Sequence, residues 1–311
     1  MALDSWLLAP DYKHFFVSLD TNKSNLKKYP FIACVCLAAL FLASCSKSGA
    51  PVPAKIINSN GPPAPVDSGW AFETAPTFSD EFNYSGTPDT TKWGYDLGGG
   101  GWGNQELEDY TNSLNNANVS NGVLHITALN QFLGGMSYTS ARMVSKNSGY
   151  LLYGRIEASA KLPPGKGTWP AIWMLPNDWV YGNWPASGEV DIMEQVGFDP
   201  LNVHFSVHNS VNFGANPHTE TTNIPTDTSA FHKYRVDWTP YAIRGYYDDV
   251  EVFTFVNPGT GSNQWPFDQK FHVLMNLAIG GTWGGSKGID ANLCPATMQV
   301  DYIRFYKMIH K

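Results

Sequence analysis

The chain has 311 residues, with 27 Asp and Glu against 20 Lys and Arg, a formal net charge of −7. That balance excludes nucleic acid as a partner, because a phosphate backbone is bound by clustered basic residues. Three of the four cysteines, Cys34, Cys36 and Cys45, fall in the first 45 residues and leave Cys294 alone in the rest, so an intrachain disulfide and a cysteine metal site are both excluded there.

In chain order, the first feature is the apolar segment from Phe31 to Leu42, preceded by Lys27 and Lys28 and ending in Leu42-Ala43-Ser44-Cys45. It is short of the ~20 residues that span a bilayer. Its ending resembles a bacterial lipoprotein signal, in which cleavage before the cysteine leaves a lipidated first residue. The resemblance implies a signal over residues 1–44, a lipid anchor at Cys45, and a bacterial lipoprotein of the outer membrane, on its surface or periplasmic face. A plain secretory peptide or a transmembrane anchor is the alternative. Residues 45–69, rich in Pro, Ser, Gly and Ala, read as a flexible tether. Beyond Cys45 the balance is 16 basic to 24 acidic residues, and residues 70–311 are long enough for one domain with a substantial core.

That domain reads as all-β. Val123 to Thr127, Arg155 to Ser159, Lys233 to Trp238 and Met298 to Ile303 are short runs of strand character between turn-rich segments. No long stretch keeps a helical period, Gly and Pro punctuate the chain as tight connections require, and neither a repeat nor a nucleotide-binding loop is evident.

Near the middle, Gly188 to Gly197 reads Gly-Glu-Val-Asp-Ile-Met-Glu-Gln-Val-Gly, three carboxylates in an apolar run. In a strand Glu189 and Asp191 share one face while Val190 and Ile192 take the other. Glu194 is out of phase, so for it to join that face the strand needs one extra residue, a β-bulge near Ile192 or Met193. The α-carbons of Glu189 and Glu194 would then lie roughly 13 Å apart at ~3.3 Å per rise. Two glutamates leaning together could close to the ~5 to 5.5 Å of a retaining glycosidase. Asp191 between them would push neighbouring pKa values apart. A solvated acidic strand face is the alternative. The flanks, Trp169-Pro170-Ala171-Ile172-Trp173 and Trp184-Pro185-Ala186-Ser187, favour a carbohydrate site, because sugar rings stack their apolar faces on tryptophan; the same side chains also commonly fill cores.

The triad, together with ordered blocks along most of the chain, resembles the bacterial laminarinase-type members of glycoside hydrolase family 16. The blocks are Asp80-Glu81-Phe82-Asn83, Gly101-Trp102-Gly103-Asn104-Gln105-Glu106-Leu107, Tyr138 to Met143, Tyr153 to Glu157, Phe231 to Tyr234, Trp265 to Asp268, Asn276 to Trp283 and Val300 to Tyr306. The resemblance implies a concanavalin A-like β-jelly-roll sandwich and a retaining endo-glycosidase cutting β-1,3 or mixed β-1,3/1,4 glucan as a monomer, with no cofactor needed for catalysis. It implies Glu189 as nucleophile, Glu194 as acid and base, and Asp191 as supporting carboxylate. Asn104, Arg142, Trp169, Trp173, Trp184 and Trp283 fall in blocks that resemble the cleft lining, and His208 sits where such sequences place a histidine beside the site. Glu81, Gly122 and Asp301 resemble a calcium site of some members, backbone oxygens of the first two joining the Asp301 carboxylate.

Asn209 to Pro217 departs from the family pattern and is expected to shape product preference. Two further readings compete: the same scaffold acting on agarose or carrageenan, and a silent glycan-binding protein. The laminarinase-like tryptophan blocks argue against the first, and retention of all three carboxylates argues against the second.

Overall fold

A computed structural model describes residues 68–223 and 228–311. The signal, Cys45 and the tether up to residue 67 lie outside the described residues. Among the described residues there is no helix, and the strands form two large antiparallel sheets, the jelly-roll sandwich that the sequence implies.

One sheet has nine strands. Its path runs Val250–Val256, Ala242–Tyr247, His232–Trp238, Gly154–Lys161, Ala296–His310, Val123–Ala128, Ala117–Ser120, with two short N-terminal strands also pairing on Ala296–His310. The other has eight, in the order His218–Asn223, Asn202–His208, Glu189–Glu194, Thr168–Pro176, Phe271–Ile279, Arg142–Val144, Gly94–Tyr95, with Tyr150–Leu151 beside Phe271–Ile279. The four strand runs expected from sequence all lie inside observed strands, extended by a few residues at their ends.

Between the sheets lies the core. Ile156, Ala158 and Ala160 alternate inward from one sheet and Phe271, Val273, Met275, Leu277 and Ile279 from the other, the period-two pattern of strands with one face on a core. Each of the larger side chains, fully buried, contributes about 1.5–3 kcal/mol. All nine residues of Phe271–Ile279 are buried, however. Its second face is covered too, and that face is the floor of a cleft.

The turn from Ser120 to Val123 shows how local chemistry fixes register. Ser120 pairs with Val123, so Asn121 and Gly122 form a two-residue hairpin, and both have positive φ, 55° and 75°, which Asn-Gly accommodates at little steric cost. Further along, Ile303 pairs with Asp80 and Val300 with Leu124. The exposed Asp301 therefore stands between the segment carrying Glu81 and the turn carrying Gly122. The Glu81 carboxylate is engaged by Arg304 through two hydrogen bonds of 2.8 and 2.6 Å.

Candidate active site

The outer face of the eight-stranded sheet floors a cleft of about 1200 Å³. Alternation supplies the floor: Ile172 and Met174 face the core while Trp169, Ala171, Trp173 and Leu175 face the cleft, and Val203, Phe205 and Val207 face inward while His204, Ser206 and His208 face outward. The strand Glu189–Glu194 obeys the same rule only because of a bulge. Against Thr168–Pro176, Met193 pairs with Ile172 but Asp191 pairs with Trp173, so Ile192 is skipped. On the other side, Asp191 pairs with Ser206 and Glu194 with His204, three steps against two. Ile192 and Met193 both enter the core, and Glu189, Asp191 and Glu194 all line the cleft. Gly188 leads into this strand at φ +86°, where a Cβ would lie 2.8 Å from Pro266 Cγ; only glycine fits without a shift.

Each glutamate has its own indole donor. Trp184 Nε1–H donates to Glu189 Oε2 at 2.7 Å and Trp169 Nε1–H donates to Glu194 Oε1 at 2.7 Å. Between them, His208 Nε2 lies 3.1 Å from Asp191 Oδ2 and 3.6 Å from Glu189 Oε1. Asp191 has 2% side-chain exposure and Glu189 16%. Desolvation therefore dominates their titration. It pushes the Glu189 carboxyl up to about 8, with the Asp191 charge adding to the effect and His208, the Trp184 N–H and Arg142 opposing it. Asp191 is also raised by burial, and Glu194 by burial followed by the Asp191 charge. Asp191 pushes both glutamates toward their neutral form and His208 draws both toward their charged form; they differ in that Arg142 also favours the Glu189 anion, whereas the Glu189 charge further favours the neutral Glu194.

All seven side chains singled out for substrate contact, Asn104, Arg142, Trp169, Trp173, Trp184, His208 and Trp283, line this one cleft. Their parts differ. Trp169 is 8% exposed and packs edge-on against Trp283 at 5.6 Å, so it offers its N–H more than its ring face. Trp184 is 43% exposed and presents a face. Arg142 lies over both Trp102 and Trp173, 4.7 Å from each ring centre, and is paired with Asp96 at 3.0 Å. The unplaced segment after His208 also reaches the cleft, through Asn212 and Gly214 to Pro217, while Phe213 packs edge-on against Trp184 at 5.8 Å. Sequence reasoning passed over Trp102, Glu106, Trp179, His204 and Asn276, which line the cleft as well. A signal existed for Asn276, the one amide in a mostly apolar strand.

Because the triad carboxyls titrate above the ordinary carboxylate value of 4.5, the folded chain holds protons that the unfolded chain releases between about pH 4.5 and 8. Stability should therefore fall as pH rises through that window, by up to ~1.4 kcal/mol per pH unit for each proton retained. Urea unfolding at about pH 5 and about pH 8 measures the slope, and Glu194→Gln should flatten it. A Gln variant with the wild-type slope would contradict the assignment.

Comparison with known proteins agrees with this arrangement. The sequence pattern of glycosyl hydrolases family 16 matches residues 104–304. A beta-glucanase of Rhodothermus marinus is 47% identical over 242 residues, covering 75% of this chain and 85% of the relative. A glucan endo-1,3-beta-glucosidase of Cryptopygus antarcticus is 36% identical over 250 residues, 73% of this chain and 90% of the relative. The X-ray structure of the laminarinase from Rhodothermus marinus superposes with a TM-score of 0.75 at 45% identity, covering 78% of this chain and 99% of that one. With an acidic, tryptophan-lined cleft on a jelly-roll sandwich and relatives at this level of identity, the chain belongs to glycoside hydrolase family 16.

Proposed function

We propose that the protein is a retaining endo-glycosidase that hydrolyses β-1,3 or mixed-linkage β-1,3/1,4 glucan, the substrate class named for its beta-glucanase and glucan endo-1,3-beta-glucosidase relatives. The observation that carries the mechanism is the triad on one face, each glutamate fixed by a separate indole N–H. Glu189, which Arg142 draws toward its anion, attacks the anomeric carbon. Glu194, which the Glu189 charge pushes toward its acid, gives its proton to the departing glycosidic oxygen. The product of that step is a glycosyl ester on Glu189; forming it neutralises the Glu189 charge beside Asp191 and relieves their repulsion. Glu194, now a carboxylate, takes a proton from water as the water oxygen attacks the same carbon, and Glu189 leaves with its electron pair. His208 holds Asp191 and faces Glu189, which fixes the geometry of the pair.

We further infer that the enzyme is a monomer tethered to a bacterial outer membrane through a lipid on Cys45, from the apolar run, the Leu-Ala-Ser-Cys ending and the tether. A structural calcium on Glu81, Gly122 and Asp301 is supported by the register of the three positions.

Cys45→Ala should move the protein from the membrane fraction to the soluble fraction, where light scattering should give the monomer mass; unchanged fractionation would count against the anchor. Calcium should raise the melting temperature of the domain from Trp70 onward, and Asp301→Ala should remove the response. Identical melting with calcium and with chelator would sink that site.

The function itself is tested on polymers and on stereochemistry. Laminarin, lichenan or barley glucan should be cut while agarose and carrageenan are left intact, and Glu189→Ser should abolish turnover while keeping oligosaccharide binding. Glu194→Ala should lose polysaccharide hydrolysis but still be glycosylated by an aryl β-glycoside, whose phenolate leaves without an acid. Added azide should then yield a β-glycosyl azide from that variant, and an α azide or none from Glu189→Ala. The opposite stereochemistry by NMR would reverse the two roles.

A further inference from the structure

A second pair of carboxyls lies under the cleft, away from the triad. Glu106 and Glu108 flank Leu107 and are 6% and 0% exposed. Glu108 Oε2 accepts the Ile279 N–H at 2.6 Å. Its Oε1 is buried with no donor in reach, and an orphaned buried carboxylate oxygen is among the costlier features a fold can carry. Burial, and then the neighbouring Glu106, hold the Glu108 carboxyl well above its ordinary titration range. A proton on that oxygen, shared with Glu106, removes the charge and the orphan together.

Glu106 turns its own oxygens toward the cleft wall. Oε1 accepts Asn104 Nδ2–H at 3.2 Å and Oε2 accepts the Tyr110 hydroxyl at 3.1 Å. The Tyr110 oxygen accepts Asn276 Nδ2–H at 3.0 Å, and Asn276 Oδ1 accepts Trp173 Nε1–H at 2.7 Å. Asn104, Asn276 and Trp173 all line the cleft. We propose that Glu106 and Glu108 form a proton-sharing carboxyl pair that positions Asn104, Asn276 and Trp173 to hold the glucan, with Glu108 as a positioning residue that never touches sugar. The proposal rests on the glucan reading of the cleft given above.

The groups facing Glu108 are few. Glu106 and Tyr110 come from its own segment, and Arg142, paired with Asp96, acts on Tyr110 from the strand Arg142–Val144. The strand Tyr138–Ser140 sets Tyr138 opposite Glu108 and Ser140 opposite Tyr110, and the strand Phe271–Ile279 contributes Asn276 and the Ile279 N–H, none of them a cation. Loss of the shared proton at high pH therefore leaves two adjacent anions in a dry site. Their repulsion displaces Glu106, and with it Asn104 and Tyr110. Glucan binding weakens while the triad sets kcat.

The test is KM and kcat on laminarin across neutral to alkaline pH for the wild type, Glu108→Gln and Tyr110→Phe. Wild-type KM should rise about fivefold as the pair ionises, the worth of one hydrogen bond. In Glu108→Gln the amide N–H serves Glu106 and the amide oxygen serves Ile279 at every pH, so that rise should vanish. Tyr110→Phe, which cuts the line to Asn276, should raise KM by a similar factor at all pH values with little change in kcat. A purely structural role would lower the active fraction, and so kcat, with KM unmoved. A Glu108→Gln KM profile superimposing on the wild type, or an unchanged KM in Tyr110→Phe, overturns the proposal. Absence of any wild-type glucan cleavage would instead defeat the substrate reading, and the pair would then be read by infrared difference spectroscopy: Glu108→Gln should remove a protonated-carboxyl C=O band at neutral pH, and no lost band overturns the pair.

Discussion

The skipped residue at Ile192 sets the relation between core and cleft. With strict alternation, the strand Glu189–Glu194 would send Met193 to the cleft and Glu194 into the core together. The bulge instead lets two consecutive apolar side chains enter the core and returns Glu194 to the face of Glu189 and Asp191. Both neighbouring strands hold the displaced register, so the irregularity is fixed from two sides. The Trp169 indole reaches Glu194 from one of those neighbours, Thr168–Pro176, and His208 reaches Asp191 from the other.

Around that strand the fold works against solvation. Three carboxyls in a partly dry cleft cannot all be ionised cheaply, and the surrounding groups decide which one carries charge. Indole N–H donors suit this task because each offers one directed hydrogen bond on a large rigid body, without bringing a competing full charge. The same economy recurs under the cleft at Glu106 and Glu108, where the nearest guanidinium, Arg142, is stacked between two tryptophans and paired elsewhere.

Much of this was legible in the sequence because it rests on short-range patterns. Short strand-like runs between turn-rich segments announced an all-β domain, and the phase slip from Asp191 to Glu194 announced the bulge. Asn104, Arg142, Trp283 and the flanking tryptophans were found through motif blocks. What escaped depends on contacts between distant segments. Nothing local in Glu106-Leu107-Glu108 says that Glu108 will meet the backbone of Ile279, 171 residues away. Likewise both Trp169 and Trp184 donate to a glutamate, but which ring is buried and which exposed is a matter of tertiary packing that periodicity does not encode. His204 looked like an ordinary strand position until the sheet order placed it opposite Glu194.

The segment Asn209 to Pro217 is fastened mainly at its root. Asn209 Oδ1 accepts the N–H groups of Val211 and Asn212, and its Nδ2 donates to the Gln264 carbonyl, while Phe213 at the tip leans on Trp184. A root held at Asn209, through its side chain and its backbone N–H to the Asn212 carbonyl, lets the tip vary in length and composition without disturbing the ladder below it. One wall of the cleft can therefore be rewritten while the acidic strand keeps its place in the sheet.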